Sequence, residues 1–360
     1  MPAADRSAGE AAAPRAGVGE SLCGFDPDAT AALLGELGEP PYRARQLFAW
    51  VHARGARDYA AMSDLPARAR DALALRLPVR CTSVAEAHPG ADGTTKLLLA
   101  LADGERVECV LIPEGERRTA CISTQVGCGV GCVFCASGAD GVVRNLTAAE
   151  IVEQSYALRD LAGTRLTNLV VMGMGEPLHN VPALLDALAI VQDPQGMDLG
   201  ARRITLSTSG PVRGFEELLA RAPRINLALS LHAATEELRR RLVPKGGTAS
   251  VGGMRAMARR WFETTGRDVT FEYVLLGGVN DGDADALALA ALCDRHTNVN
   301  LIPMNPVPFA PDLRAPEPPR VERFADQLRR RGVVVNLRRQ RGDDVAAACG
   351  QLRRARSPSG

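Results

Sequence analysis

Four cysteines crowd one stretch, RRTACISTQVGCGVGCVFCASG: Cys121, then Cys128, Cys132 and Cys135. The last three follow a C-x3-C-x2-C spacing. Thiolates are soft ligands, suited to zinc, copper(I) or iron–sulfur clusters. Structural zinc usually takes two separated ligand pairs. Here there is one compact triplet, and His179 and His232 lie far off in sequence. Three thiolates on one loop suit a cubane that keeps one iron open, whereas ferredoxin-type clusters are ligated by four cysteines. Gly127, Gly129 and Gly131 let such a loop wrap tightly and bring backbone N–H groups to the sulfurs. Free cysteines are often buried in cores, but this spacing among glycines is poor packing material.

The elements that must hold this loop alternate from Thr119 onward. The strands expected are TACIST, LTNLVVMG, RRITLSTSG, INLALSLHA, VTFEYVLLGG and VNLIPMNP. Between them lie helical patterns, among them TAAEIVEQSYALRD, with a Thr147-x-x-Glu150 capping box, and VPALLDALAIVQ. Six such units with Val/Ile/Leu-rich strands predict a parallel sheet covered by helices. Periodicity does not choose between an open doubly wound sheet and a barrel. A last unit, VERFADQLRRRG then VVVNLRRQRG, precedes a short C-terminal helix over DDVAAACGQLRR. Polar groups end the strands (GMGEP, STSG, SLH, MNP). In parallel α/β folds the site forms at those carboxyl ends, and the cysteine triplet directly follows the first strand.

Upstream, Phe25 to Leu77 reads as short amphipathic helices ended by Gly or Pro. Two alternating runs, TTKLLLALA and ERVECVLIP, flank Asp103-Gly104, a strong hairpin signal. The chain has 360 residues, and 43 basic against 42 acidic side chains leave +1. Net charge therefore predicts neither a nucleic-acid nor a membrane partner. Lys96 and Lys245 are the only lysines. No segment has the length to cross a bilayer, and the Ala/Gly-rich N-terminus lacks the apolar core of a signal peptide. The expected compartment is the cytoplasm, where nine cysteines, an odd number, do not form a disulfide framework.

Longer stretches carry a resemblance. CISTQVGCGVGCVFC, RNLTAAEI, VMGMGEPLHN, STSG, LSLHAATEELRRRLVP, LIPMNPVP and RGDDVAAACGQL resemble the RlmN/Cfr family of radical S-adenosylmethionine (SAM) ribosomal RNA adenosine methyltransferases, from about Asp26 to Leu352. The N-terminal helices and the QVGC wording are more similar to the RlmN branch. CASG and MNP depart from the wording common in the family.

The resemblance implies a partial (β/α)6 TIM-like radical SAM barrel with a small N-terminal helical domain and a β-hairpin extension. Its expected layout is a disordered tail over 1–24 and a helical RNA-binding accessory domain over 25–80. A hairpin linker then spans 81–117, the barrel with a C-terminal catalytic helix 118–352, and a tail 353–360. Cys128, Cys132 and Cys135 would hold a [4Fe–4S] cluster. Gly175, Glu176, Ser207, Ser230, Leu231, His232 and Asn305 would bind SAM, two molecules of which serve each turnover. Cys349 would take a methyl group from the first SAM. The 5′-deoxyadenosyl radical from the second would activate that methyl for attack on carbon 2 of adenine, a position ordinary alkylation does not reach. Glu108 would be the general base for the carbon 2 proton. Cys121 would release the product by forming a disulfide with Cys349. The implied partners are 23S rRNA, transfer RNA as a further substrate, and a reducing system such as flavodoxin, acting on a monomer with no membrane contact. Arg43, Arg45 and NLRRQRGDD are candidate phosphate contacts. Two other readings are Cfr-type methylation of carbon 8 and a non-catalytic iron–sulfur or zinc RNA-binding module. Cys23, Cys81, Cys109 and Cys293 look incidental.

Overall fold

The computed structural model describes residues 17–221, 223–338, 341–348 and 350–353, with the backbone alone at Asp343. Three short helices open it: α1 (Pro27–Glu36), α2 (Tyr42–Phe48) and α3 (Ala67–Arg76). Asp26 caps α1 by accepting the Ala29 N–H at 2.7 Å, with Pro27 preset for the first turn. These helices share one apolar core with the rest of the molecule, through Leu22, Leu47, Val51 and Leu73. Buried Glu153 ties the same junction. It accepts from Ser21 Oγ at 2.5 Å, from the Cys81 N–H at 3.0 Å, and from the Thr82 N–H and hydroxyl at 2.8 and 2.7 Å.

Strands β1 (Ser83–Pro89), β2 (Thr95–Ala100), β3 (Arg106–Glu114) and β4 (Arg117–Cys121) run antiparallel in sequence. The expected hairpin is thus β2–β3, and it continues the main sheet. Sequence patterning misses β1, a mostly exposed edge strand whose register slips between Val84 and Glu86. It also misses a small ribbon, β5 (Gln125–Gly127) with β6 (Val142–Asn145), which brackets the cysteine loop.

Then come α4 (Ala148–Ala162), β7 (Asn168–Val171), α5 (Val181–Gln192), β8 (Ile204–Thr208), α6 (Val212–Ala220) and β9 (Asn226–Ser230). They are followed by α7 (Glu236–Leu242), α8 (Val251–Thr265), β10 (Val269–Leu275), α9 (Asp283–Leu292), β11 (Thr297–Pro303), α10 (Pro318–Arg329) and β12 (Val335–Leu337). The capping box at Thr147 and Glu150 forms as the sequence predicts, and α5 matches its predicted bounds.

Strand order decides the architecture. The sheet reads β1-β2-β3-β4-β7-β8-β9-β10-β11-β12, and every pair from β4 to β12 is parallel. A doubly wound sheet reverses its order at a switch point; this one never does. Crossovers of one hand then lay every helix on the same face, and the sheet curls around the other. With β1 and β12 at its two ends, it is a partial barrel with a helical N-terminal region.

The two faces differ chemically. Leu169, Val171, Leu206, Leu229, Phe271 and Tyr273 are buried in the core shared with the helices. Residues of the same sheet, such as Thr205, Asn226, Thr270, Glu272 and Asn300, line a polar cavity of about 570 Å³ inside the curl. In the lumen, Asn300 Nδ2 donates to Glu272 at 2.9 Å, and burial pushes that carboxyl above its usual range against the pull of Arg338.

The expected C-terminal helix does not form among the described residues. A single 3-10 turn covers Asp343–Val345, and Gly342, Ala346 and Gly350 have φ of 68°, 49° and 85°. That left-handed backbone cannot continue a right-handed helix, and the backbone groups bond to other elements instead.

Candidate active site at the barrel mouth

The cysteine loop leaves β5 and folds over the mouth. Its Val130 and Phe134 pack with Leu242, Val274, Ile302 and Met304. The Val133 N–H donates to Leu242 O at 3.1 Å, and Lys245 N–H to Val130 O at 3.2 Å. Gly138 must be glycine, since a Cβ there would sit 2.8 Å from Gly131 Cα.

Burial pushes the Cys128 thiol up to about 12; the Val130 N–H opposes this, and Cys135 and Glu176 add to it. Burial also lifts Cys132, with Cys135 and Cys128 next, against Arg239. Cys135 is raised by burial against the N–H and hydroxyl of Ser137 and the N–H of Gly138. Three half-buried cysteines thus crowd one another, with backbone donors aimed at the sulfurs of Cys128 and Cys135. Bound cationic metal reverses that balance and holds thiolates outright. A mononuclear centre needs sulfurs about 2.3 Å from one ion, whereas a cubane places each thiolate on its own iron. The donor set, the N–H groups at the sulfurs and the glycine contacts fit an iron–sulfur cluster.

Glu176 is buried one turn beyond β7. Its carboxylate accepts the Leu178 N–H at 2.9 Å, Thr208 Oγ1 at 2.5 Å, and the N–H and hydroxyl of Ser209 at 2.8 and 2.7 Å. Those bonds fill the roughly four acceptor positions of a carboxylate and tie the end of β7 to the end of β8. An incoming ammonium therefore has to share or replace them. Gly175, at φ 104°, also serves packing. A Cβ would lie 2.8 Å from Gln125 N, so the glycine admits a neighbouring strand end.

Ser207 and Ser230 meet at 3.2 Å between their hydroxyls. Leu231 is buried beside them. His232 follows at φ 57°, and the Ala233 N–H donates back to Leu231 O at 2.8 Å. That is a γ-turn of the rare positive-φ form, strain of the kind found at functional sites. Nδ1 of His232 accepts the Val274 N–H at 3.1 Å, which leaves its ring proton on Nε2. Burial first, then Arg239, lowers its pKa to about 3, and Phe134 of the cysteine loop packs edge-on at 4.8 Å. Asn305 is buried just beyond β11.

Sequence reading missed Arg239. This buried guanidinium donates to Ser230 O, Leu231 O and Ser209 O at 2.8, 2.6 and 2.8 Å, binding the ends of β8 and β9 together. Within the run RRR only tertiary burial separates it from exposed Arg240 and Arg241.

On the far side, Cys121 ends β4. It pairs with Val110 and with Val170, a wall of the lumen cavity. Glu108 lies two residues before Val110, on that same face. Its Oε1 is 2.9 Å from Lys96 Nζ, and its Oε2 accepts the Arg353 N–H at 2.8 Å. Cys349 lies outside the described residues. Its flanks do not: the Ala136 N–H donates to Gly350 O and Ser137 Oγ to Leu352 O, both at 2.7 Å. The segment 341–353 thus docks on the cysteine loop and on Glu108 together. No disulfide joins two described cysteines. Arg43, expected at phosphate, is paired with Glu39 at 2.8 Å, whereas Arg45 is exposed.

Residues 122–290 match the radical SAM superfamily, and residues 21–79 match the ribosomal RNA large subunit methyltransferase N-terminal domain. A probable dual-specificity RNA methyltransferase RlmN of Symbiobacterium thermophilum is 48% identical, over 93% of this chain and 91% of that one. The dual-specificity RNA methyltransferase RlmN of Magnetococcus marinus is 45% identical, over 91% and 92%. The chain belongs to the RlmN family of radical SAM proteins. The crystal structure of a radical SAM methyltransferase from Sphaerobacter thermophilus superposes with a TM-score of 0.88 at 45% identity, covering 92% of this chain and 99% of that one. Membership of this family implies a [4Fe–4S] cluster and SAM. No helix among the described residues is long and apolar enough to cross a membrane.

Proposed function

We propose that this chain is an RNA methyltransferase that adds a methyl group to carbon 2 of an adenosine in 23S rRNA, with a transfer RNA adenosine as a second substrate. The observation that carries the reading is the double docking of segment 341–353, on the cysteine loop through Ala136 and Ser137 and on Glu108 through Arg353. It supports the reading because Gly350, Leu352 and Arg353 lie at the end of the barrel where three thiols, a strained histidine and two strand-end serines gather.

In this reading Cys128, Cys132 and Cys135 hold the cluster, and Gly175, Glu176, Ser207, Ser230, Leu231, His232 and Asn305 line the SAM side of the mouth. When bound, cluster and SAM supply the one-electron chemistry that no side chain here can provide. Cys349 carries the transferred methyl as a thioether. Glu108 takes the carbon 2 proton. Cys121 then attacks the Cys349 sulfur: the S–S bond forms as the S–C bond to the base breaks, the freed methylene carbon takes a proton to become the methyl group, and the unpaired electron left by radical addition would pass to the bound cluster. A cytoplasmic reducing system restores both thiols. The helices within 25–80 and Arg45 contact RNA, whose target base must leave its stack to reach the mouth.

Cys349→Ala tests this. It should abolish base methylation and the S-methylcysteine while iron content stays at the wild-type level. Methyl transfer persisting in that variant refutes the assignment. Mass spectrometry of the nucleoside gives 2-methyladenosine on this reading; 8-methyladenosine would move the chain's chemistry to the Cfr type.

A further inference from the structure

We propose that Lys96 is the positioning residue for Glu108, and that the position requires a lysine. The inference rests on the reading of Glu108 as general base. Only two of the chain's 43 basic residues are lysine, so at this position the chain departs from the arginine it uses nearly everywhere. The pair is no loose surface contact. Nζ lies 2.9 Å from Oε1, and the Lys96 and Glu108 side chains are 11% and 10% exposed. The same Nζ lies 3.4 Å from Ala346 O, so Lys96 touches both the base and the C-terminal segment.

The division of labour between the two carboxylate oxygens is what matters. Lys96 fixes Oε1. Among the described residues, the hydrogen bond to Oε2 comes from the Arg353 N–H, a group on the segment 341–353. When that segment lifts to admit RNA, Oε2 is bared with its orientation kept by Lys96. Once carbon 2 has bonded to the methylene carried by Cys349, its C2–H bond breaks heterolytically. The proton goes to Oε2, and the bonding pair stays on the ring. An ammonium is a point donor and can hold one oxygen. A guanidinium is a planar fork that grips both oxygens of a carboxylate. Arginine at 96 would therefore occupy Oε2 as well and remove the proton acceptor.

The test compares Lys96→Met, Lys96→Arg and Glu108→Gln in cluster-loaded enzyme with an RNA substrate. Both lysine variants should lower kcat by at least about tenfold, up to the roughly 100- to 10,000-fold that loss of a general base produces, with KM for RNA unchanged. Cys349 methylation and 5′-deoxyadenosine formation should persist, and denaturing gels should show protein–RNA adduct that forms but does not release. Methylammonium should restore Lys96→Ala, and guanidinium should not. Wild-type turnover in Lys96→Arg overturns the proposal, and that variant decides the matter should Lys96→Met fail to fold. Wild-type turnover in Glu108→Gln would instead sink the general-base reading. A slow Glu108→Gln beside fast lysine variants would leave that reading standing and sink this inference alone.

Discussion

The cysteine loop and the C-terminal segment meet at the barrel mouth, yet they are held in opposite ways. The loop is bracketed by a local ribbon, β5 with β6, and closed by glycine contacts within a dozen residues. The segment 341–353 has one 3-10 turn of its own. It is positioned by bonds to residues more than two hundred positions away: the Ala91 N–H to Asp344 at 2.8 Å, the Gly342 N–H to Asp92 at 3.1 Å, and the contacts with Ser137 and Glu108. A site that needs one part rigid and another able to leave uses local closure for the first and a few long-range bonds for the second. Each such bond contributes about 1 kcal/mol, so the segment is the element that can open.

The largest expected effect lies in the loop. Cys132→Ala should remove the cluster and all methylation, with iron and sulfide analysis near zero and the fold retained by circular dichroism. Full iron content in that variant would detach the loop from the cluster. A smaller effect is expected in the segment. Asp344→Ala removes the anchor at Ala91, so methylation should fall up to about fivefold, as loss of roughly 1 kcal/mol permits. Hydrogen exchange over 341–353 should quicken while iron stays constant. Unchanged exchange would mean the segment is not held from the β1–β2 turn.

The smallest effect separates the two regions by acid. His232 underlies the loop through Phe134, and its folded pKa of about 3 lies below the ordinary 6.5. The unfolded chain therefore takes up this proton first as pH falls. The stability is fully present above about 6.5 and is lost between there and about 3, at up to about 1.4 kcal/mol per pH unit. His232→Asn, which tolerates the positive φ, should flatten the acid limb of a denaturant-melt series by about one proton. An unchanged slope would place the acid sensitivity elsewhere, His52 being the other histidine lowered to about 3.

Much of this molecule is written locally. The C-x3-C-x2-C spacing, the Thr147–Glu150 capping box, the bounds of α5 and the polar strand ends are short-range patterns, and short-range sterics and hydrogen bonding enforce them. β1, β5 and β6 escaped notice because they are short or mostly exposed and lack a buried alternation. The C-terminal stretch misled for the opposite reason. AAA has high helix propensity, but left-handed residues at 342, 346 and 350 and distant partners override it.

Sequence alone determined that three thiols would share a loop at the carboxyl end of a β/α array, because ligand spacing and strand-to-helix alternation act within a few residues. Tertiary structure decided that the array curls in one direction around a polar lumen. It also buried Arg239 out of a run of three arginines, and it set Lys96, Glu108 and the last turn of the chain against one another. Those outcomes depend on strand order and on which face each side chain meets, and groups two hundred residues apart leave no trace of that in their spacing.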